Sequence, residues 1–390
     1  MPTEHLSAFA LDPDRLTLNH GSFGACLRST RAAEDAFRRE LEADPTSFFE
    51  RRYPEHMART RTFLARLVGA DEAGLVFVTN ASMGVATVLA SLRDAGHFAP
   101  GDAMLTTDHV YPACRNALAA LAARTGTALH IARVPFPLQS PDEVVDAVLA
   151  AVTPRTRLVL LDHVTSPTGL VFPVERLVPE LEARGVPVLV DGAHGPGMVP
   201  LDLGALGPSF YTGNLHKWLG APKAAALLWA RPDRRELLHP LVVSHGHGQG
   251  LHAEFDWTGT YDPSALFAAP AAVEGLAKLH AEGLPGLMAE LRARTIRAQG
   301  QLAEALAIPR PAPASMLGTL VSMPLPPRPL APGERDPDRE ALEADLLTRV
   351  PFMPWPAPPA RLFRLSISAY VSDDDVAQVA SWMRSRFSTP

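Results

Sequence analysis

Apolar residues in this chain fall into short continuous runs separated by stretches of helical spacing. LVFVTN (75–80), AMLTTD (103–108), LHIARV (129–134), RLVLLDHV (157–164), PVLVDGAH (187–194), SFYTG (209–213) and AALLWA (225–230) each read as a strand. They are too short for helices and are bounded by polar or turn-forming residues. Helical patterns lie between them, from about Met83 to Leu92, from Pro112 to Ala123 and over 142–152. A strand that is apolar throughout needs cover on both faces, and helical crossovers supply it. The pattern therefore predicts an α/β protein whose mostly parallel seven-stranded sheet lies between helices. From Ser264 onward the rhythm changes: 265–283 and 284–306 are helical, while LGTLVSMPL (317–325) and RLFRLSISAY (361–370) look like strands. That predicts a smaller C-terminal α+β domain. The proline-rich stretch 324–338 is expected to be a surface loop, because proline continues neither a helix nor a central strand. No internal repeat is evident.

Composition narrows the picture by exclusion. The chain is 47% hydrophobic and 20% charged, as in globular proteins, and its net charge of −6 offers no basic face to nucleic acid or to an anionic membrane. Two cysteines, Cys26 and Cys114, make neither a disulfide framework nor a metal spacing. His245, His247 and His252 cluster, but without a cysteine or acidic ligand set, so no metal is expected there. The N-terminus lacks the pattern of a signal peptide, and no apolar run reaches the ~18 residues of a membrane span. A cytoplasmic enzyme is the expectation.

Lysine usage brings in the chemistry. Of 36 basic residues only Lys217, Lys223 and Lys278 are lysines. Lys217 sits in GNLHKWLGAPK, between a histidine and a tryptophan. A desolvated lysine is an amine nucleophile, which arginine is not. The competing reading is an ordinary surface lysine. Ligands of open α/β sheets bind outside the C-terminal strand ends, and polar residues gather there. Asn80 and Ser82, Asp108 and His109, His163 and Ser166, and Asp191 and His194 follow four of the runs. A pyridine aldehyde phosphate needs a lysine for its aldehyde, an anion cradle, a carboxylate for the ring nitrogen and a platform for the ring. Lys217, the helix start at Asn80-Ala81-Ser82, Asp191 and His109 are the respective candidates. Helix capping by Asn80 or Ser82, a turn cap by Asp191 and a loop role for His109 are the plainer alternatives.

LNHGSFGAC (18–26), DPTSFFERR (44–52), TDHVY (107–111), LDHVTSPTGLVFPV (161–174), LVDGAHGPGMVPLDL (189–203) and YTGNLHKWLGAPK (211–223) resemble the class V aminotransferase group of pyridoxal-phosphate fold-type I enzymes. The similarity is to the isopenicillin N epimerase-like branch. It implies pyridoxal 5'-phosphate as cofactor and Lys217 as the residue that binds its aldehyde. It implies Asp191 at the ring nitrogen, His194 near the ring hydroxyl, and His109 stacked on the ring, with Ser166 also among the cofactor-binding residues. Asn80, Ala81, Ser82, Asn214 and His216 would surround the phosphate, with Thr260 of a neighbouring subunit. Arg364 would bind the substrate carboxylate, with Asn19, His20 and Arg52 beside the substrate. Tyr111 would be the second acid/base. The resemblance also implies a homodimer with sites at the interface and an amino-acid substrate. It divides the chain into an N-terminal arm over 1–30, a large domain over 31–262 and a small one over 263–390. The reaction expected first is epimerisation at the α-carbon; C–S lysis follows, then transamination, with a non-catalytic protein on this fold a distant alternative. Cysteine desulfurases of this class carry a nucleophilic cysteine before the final arginine strand. Residues 309–363 contain none, so that route is not expected. Neither G-x-G-x-x-G nor a P-loop motif is present.

Overall fold

A computed structural model describes residues 5–329, 334–348, 352–354 and 361–387. The seven expected strands form one sheet: β1 (Leu75–Val78), β2 (Ala103–Thr107), β3 (Ala128–Ala132), β4 (Thr156–Asp162), β5 (Val188–Asp191), β6 (Phe210–Asn214) and β7 (Ala226–Ala230). Their spatial order is β1-β7-β6-β5-β4-β2-β3. Only β7 runs antiparallel to its neighbours. The other pairings are parallel.

Alternation along each strand sorts its residues between two apolar layers. Leu158, Leu160, Leu189 and Phe210 join one cluster with residues of the helices Ala81–Asp94 and Pro112–Thr125. Val159, Leu161, Val188, Val190 and Tyr211 belong to the layer on the opposite face. The same period of two carries Asp162, Asp191 and Asn214 onto the first face, where both of those helices begin. Gly84 lets the first helix approach the sheet, since a Cβ there would lie 2.1 Å from Oγ1 of Thr212.

The smaller sheet is antiparallel, in the order β8 (Leu320–Pro324), β10 (Arg361–Ser366), β9 (Phe352–Pro354). The N-terminal residues reach it: Ser366 donates its N–H to Leu18 O at 3.0 Å, and Gly21 N–H donates to Ser366 Oγ at 3.0 Å. The stretch 324–338 is not wholly a surface loop. Asp336 and Asp338 are buried, and both accept from the Arg361 guanidinium at 2.8 Å. Residues 330–333 lie outside the described residues.

Two helices that periodicity did not bring forward, Arg28–Ala43 and Tyr53–Leu67, precede β1. A π-helical turn over Phe48–Arg52 leads into the second. Among the described residues no helix is long and apolar enough to cross a membrane.

Candidate active site

Asp162 and Asp191 are register partners at the ends of β4 and β5, and Asp191 is paired in turn with Thr212 of β6. Asp191 is 2% exposed. Its Oδ1 accepts from Ala193 N–H at 2.9 Å, and its Oδ2 accepts from the Cys114 thiol at 3.2 Å. Burial raises its pKa, while the Ala193 and Cys114 hydrogen bonds and the Lys217 charge oppose the rise. Asp162 lies beside it with one carboxylate oxygen unpartnered among the described residues. Burial, then the charge of Asp191, pushes its pKa well up.

Lys217 follows β6 and places Nζ 3.1 Å from Nε2 of His194. Its pKa is lowered to about 8, first by burial and then by the Arg364 charge; Asp191, Asp162 and Cys114 pull the other way. At neutral pH roughly a tenth of the amine is then uncharged, far more than in an ordinary lysine. On its other side His194 accepts at Nδ1 from Trp218 Nε1–H at 3.1 Å. The segment is held by the N-terminal arm: His20 joins the Lys217 carbonyl (3.0 Å) to the Tyr370 hydroxyl (2.9 Å). Gly24 has φ 72° and runs so close that a Cβ would sit 1.9 Å from the His216 carbonyl oxygen.

Asn214 and Asn80 organise the helix start. Asn214 Oδ1 accepts from Ala81 N–H at 2.8 Å, and Asn80 Oδ1 caps Met83 N–H at 2.9 Å. The exposed Ser82 between them keeps its N–H and hydroxyl for an outside acceptor. A helix N-terminus with open donors is suited to an anion. His216, held through Nδ1 on the Ala225 carbonyl at 3.1 Å, stands just before Lys217.

Arg364 of β10 is 1% exposed. It donates to the backbone oxygen and hydroxyl of Ser166, to Ser22 Oγ at 3.0 Å and to Asn19 Oδ1 at 3.4 Å. Its buried Nε has no partner among the described residues, so the guanidinium retains a donor. Burial lowers its pKa to about 10.

The remaining expected residues are placed as follows. His109 is wholly buried, with Nδ1 2.7 Å from Thr168 Oγ1 and Nε2 3.0 Å from the Val134 carbonyl. The exposed ring is that of Tyr111, two residues on, which is 42% exposed and close enough to act on the Arg364 charge. Arg52 is not brought to this site. It is half exposed and paired with Glu40 and Glu55, its neighbours on two helices. Thr260 is exposed in an apolar depression of about 300 Å³ with Thr79, Met83, Leu241 and Val242. Sequence reasoning missed Cys114, Asp162, Trp218 and Ser22 as members of the site. Asp162 and Asp191 end two consecutive apolar runs, a signal that was available; Cys114 and Trp218 carried none.

The donors fit pyridoxal phosphate. A lysine of lowered pKa, a buried carboxylate, an open helix start and a guanidinium with a spare donor face one crevice at the strand ends. Together the fold and this crevice define a pyridoxal-phosphate enzyme of fold type I. The chain belongs to the aminotransferase class-V family, whose profile matches residues 37–281. It is 33% identical to the isopenicillin N epimerase of Streptomyces clavuligerus over 390 residues, covering 95% of this chain and 94% of the relative. It is 34% identical to a putative L-cysteine desulfhydrase of Oryza sativa subsp. japonica over 323 residues, 79% of this chain and 67% of the relative. Among solved structures, a cystine C–S lyase in complex with cysteine persulfide superposes with a TM-score of 0.79 at 21% identity, over 95% of this chain and 98% of the other. An apo cysteine desulfurase from Thermococcus onnurineus NA1 gives 0.78 at 18% identity, over 99% and 98%. Pyridoxal phosphate is the cofactor of this family.

Proposed function

We propose that this chain is an isopenicillin N epimerase-like enzyme that inverts the α-carbon of an amino acid or amino-acid derivative. Bound pyridoxal phosphate supplies an aldehyde carbon and a ring that accepts the electrons of the broken bond. Lys217 holds the cofactor and, once displaced by the substrate amine, takes the α-proton at Nζ. Asp191 keeps a proton at the ring nitrogen. Ser82 and the helix start, with Asn80, Ala81, Asn214 and His216 around it, hold the phosphate. Arg364 takes the substrate carboxylate, oriented by Ser166, Asn19 and Ser22. His20 braces the Lys217 backbone rather than touching substrate.

The observation that carries the reading is Tyr111. Inversion needs a second proton carrier besides Lys217, and the exposed Tyr111 hydroxyl stands in charge range of Arg364. The epimerase relatives also match over nearly their whole length. A second reading, C–S lysis, is supported by the desulfhydrase relatives. The two diverge only after the α-proton has left. Incubating single enantiomers of amino acids and cysteine conjugates in heavy water separates them. Inversion with deuterium at the α-carbon and no keto acid is the expected result. Pyruvate and a sulfur product without inversion would replace the proposal by the lyase. Tyr111→Phe is expected to slow inversion by ~10²–10⁴-fold, the usual worth of a general acid or base.

The proposal includes a homodimer. Leu241, Val242 and Val243 are 47%, 52% and 73% exposed beside Met83 and Tyr261. An apolar patch of this kind is uncommon on a monomer.

A further inference from the structure

Trp218 is buried and its indole N–H points at Nδ1 of His194 from 3.1 Å. An indole nitrogen only donates. Nδ1 must therefore carry a lone pair, because a proton there would set two donors head to head. That excludes both the imidazolium and the Nδ1–H tautomer and leaves the proton of His194 on Nε2. Nε2 is the atom 3.1 Å from Lys217 Nζ. A donor at that distance needs an acceptor, and an ammonium has none to give. The amine of Lys217 accepts only when it is uncharged.

We propose that Trp218 is a positioning residue: by fixing the tautomer of His194 it directs an N–H at Lys217 and holds the ε-amine in its neutral, nucleophilic form. The inference rests on the reading of Lys217 as the cofactor-binding lysine, and it adds the device that prepares that lysine. Trp218 is kept in place by Val164, Met198 and Leu320, and by His20, whose ring lies 4.9 Å from the indole. The charged and titratable groups facing Lys217 are Arg364, Asp191, Asp162 and Cys114. Those facing His194 are Lys217, Arg364, His20 and His216. Burial and then Arg364 disfavour charge on Lys217, whereas Asp191, Asp162 and Cys114 favour it. The hydrogen bond from His194 tips this opposition toward the neutral amine. Without Trp218 the imidazole is free to place its proton on Nδ1 and offer Nε2 as an acceptor, which favours the ammonium.

The test is competitive acylation of the full-length apoprotein across a pH series, read by peptide mass spectrometry. With three lysines in the chain, each reports separately. In the wild type Lys217 should titrate near 8. In Trp218→Phe its midpoint should rise by about one unit, roughly a tenfold loss of neutral amine at neutral pH. In a His194→Gln background the same Trp218→Phe change should produce no further rise, because the residue through which Trp218 acts is gone. An unshifted midpoint in Trp218→Phe would overturn the proposal. So would an equal rise in both backgrounds, which would mean looser packing rather than a fixed tautomer. Borohydride reduction of the loaded enzyme tests the underlying reading on its own: label on the Lys223 or Lys278 peptide would remove Lys217 as the cofactor lysine without altering the titration.

Discussion

Asp162 and Asp191 show at the residue scale how one sheet face stores charge. Two carboxylates on neighbouring strands face the same helix starts, and one Asp162 oxygen has no partner. A buried carboxylate with one oxygen left unpartnered is destabilising, so Asp162→Asn should raise the stability of the apoprotein by about 1–3 kcal/mol near neutral pH. The sign of the pH dependence follows from the raised pKa in the fold. Between the ordinary aspartate range, about 4, and that raised value, the native state binds more protons than the unfolded one, so its stability falls as pH rises. The advantage of Asp162→Asn should therefore be full above the raised pKa and vanish toward acid. Thermal melts of both proteins across pH test this; a variant less stable at neutral pH would contradict it. The same scale shows what the sequence hides. TDHVY offers two rings two residues apart, and no spacing rule says which faces out. Packing decides: His109 donates Nε2–H to the Val134 carbonyl and pairs Nδ1 with the Thr168 hydroxyl, and Tyr111 stands outside at the start of a helix.

Among elements, the strand pattern was the clearest signal, because parallel strands covered on both faces read as unbroken apolar runs. All seven runs are strands, and their polar ends converge outside the C-terminal strand ends, where open α/β sheets take their ligands. The helices Arg28–Ala43 and Tyr53–Leu67 were not legible as elements. Both carry several arginines and the first also carries glutamates, and each buries only part of its surface. Nor was the burial of Asp336 and Asp338 legible within a proline-rich run, since their partner Arg361 comes from a distant strand. One junction between elements carries a further expectation. Asn214 at the end of β6 holds the first N–H of the helix Ala81–Asp94. Asn214→Ala removes that acceptor, at a cost of about 1 kcal/mol. The displaced helix start should weaken pyridoxal phosphate binding by about tenfold, measured by fluorescence quenching; unchanged affinity would separate this junction from the phosphate site.

For the whole molecule, assembly is the property that the surface foretells. Leu241 and Val242 line the same depression as Thr260 and Met83, and the exposed Val243 follows them in the chain. Val242→Asp should convert the proposed dimer to monomer in light scattering without lowering the helical signal of the fold. A wild-type protein that is monomeric at micromolar concentration would refute the assembly.

The N-terminal arm also has a mechanical consequence. Leu18 is tied to β10, Asn19 and Ser22 hold the Arg364 guanidinium, and His20 grips the carbonyl of Lys217. One short segment thus holds the arginine through Asn19 and Ser22 and the lysine backbone through His20. The arm acts as a tendon between the anion seat and the nucleophile. A plain carboxylate, with no amine to react, is therefore expected to change the visible spectrum of the loaded enzyme. Asn19→Ala should slacken the tendon and mute that response while leaving the spectrum without carboxylate unaltered.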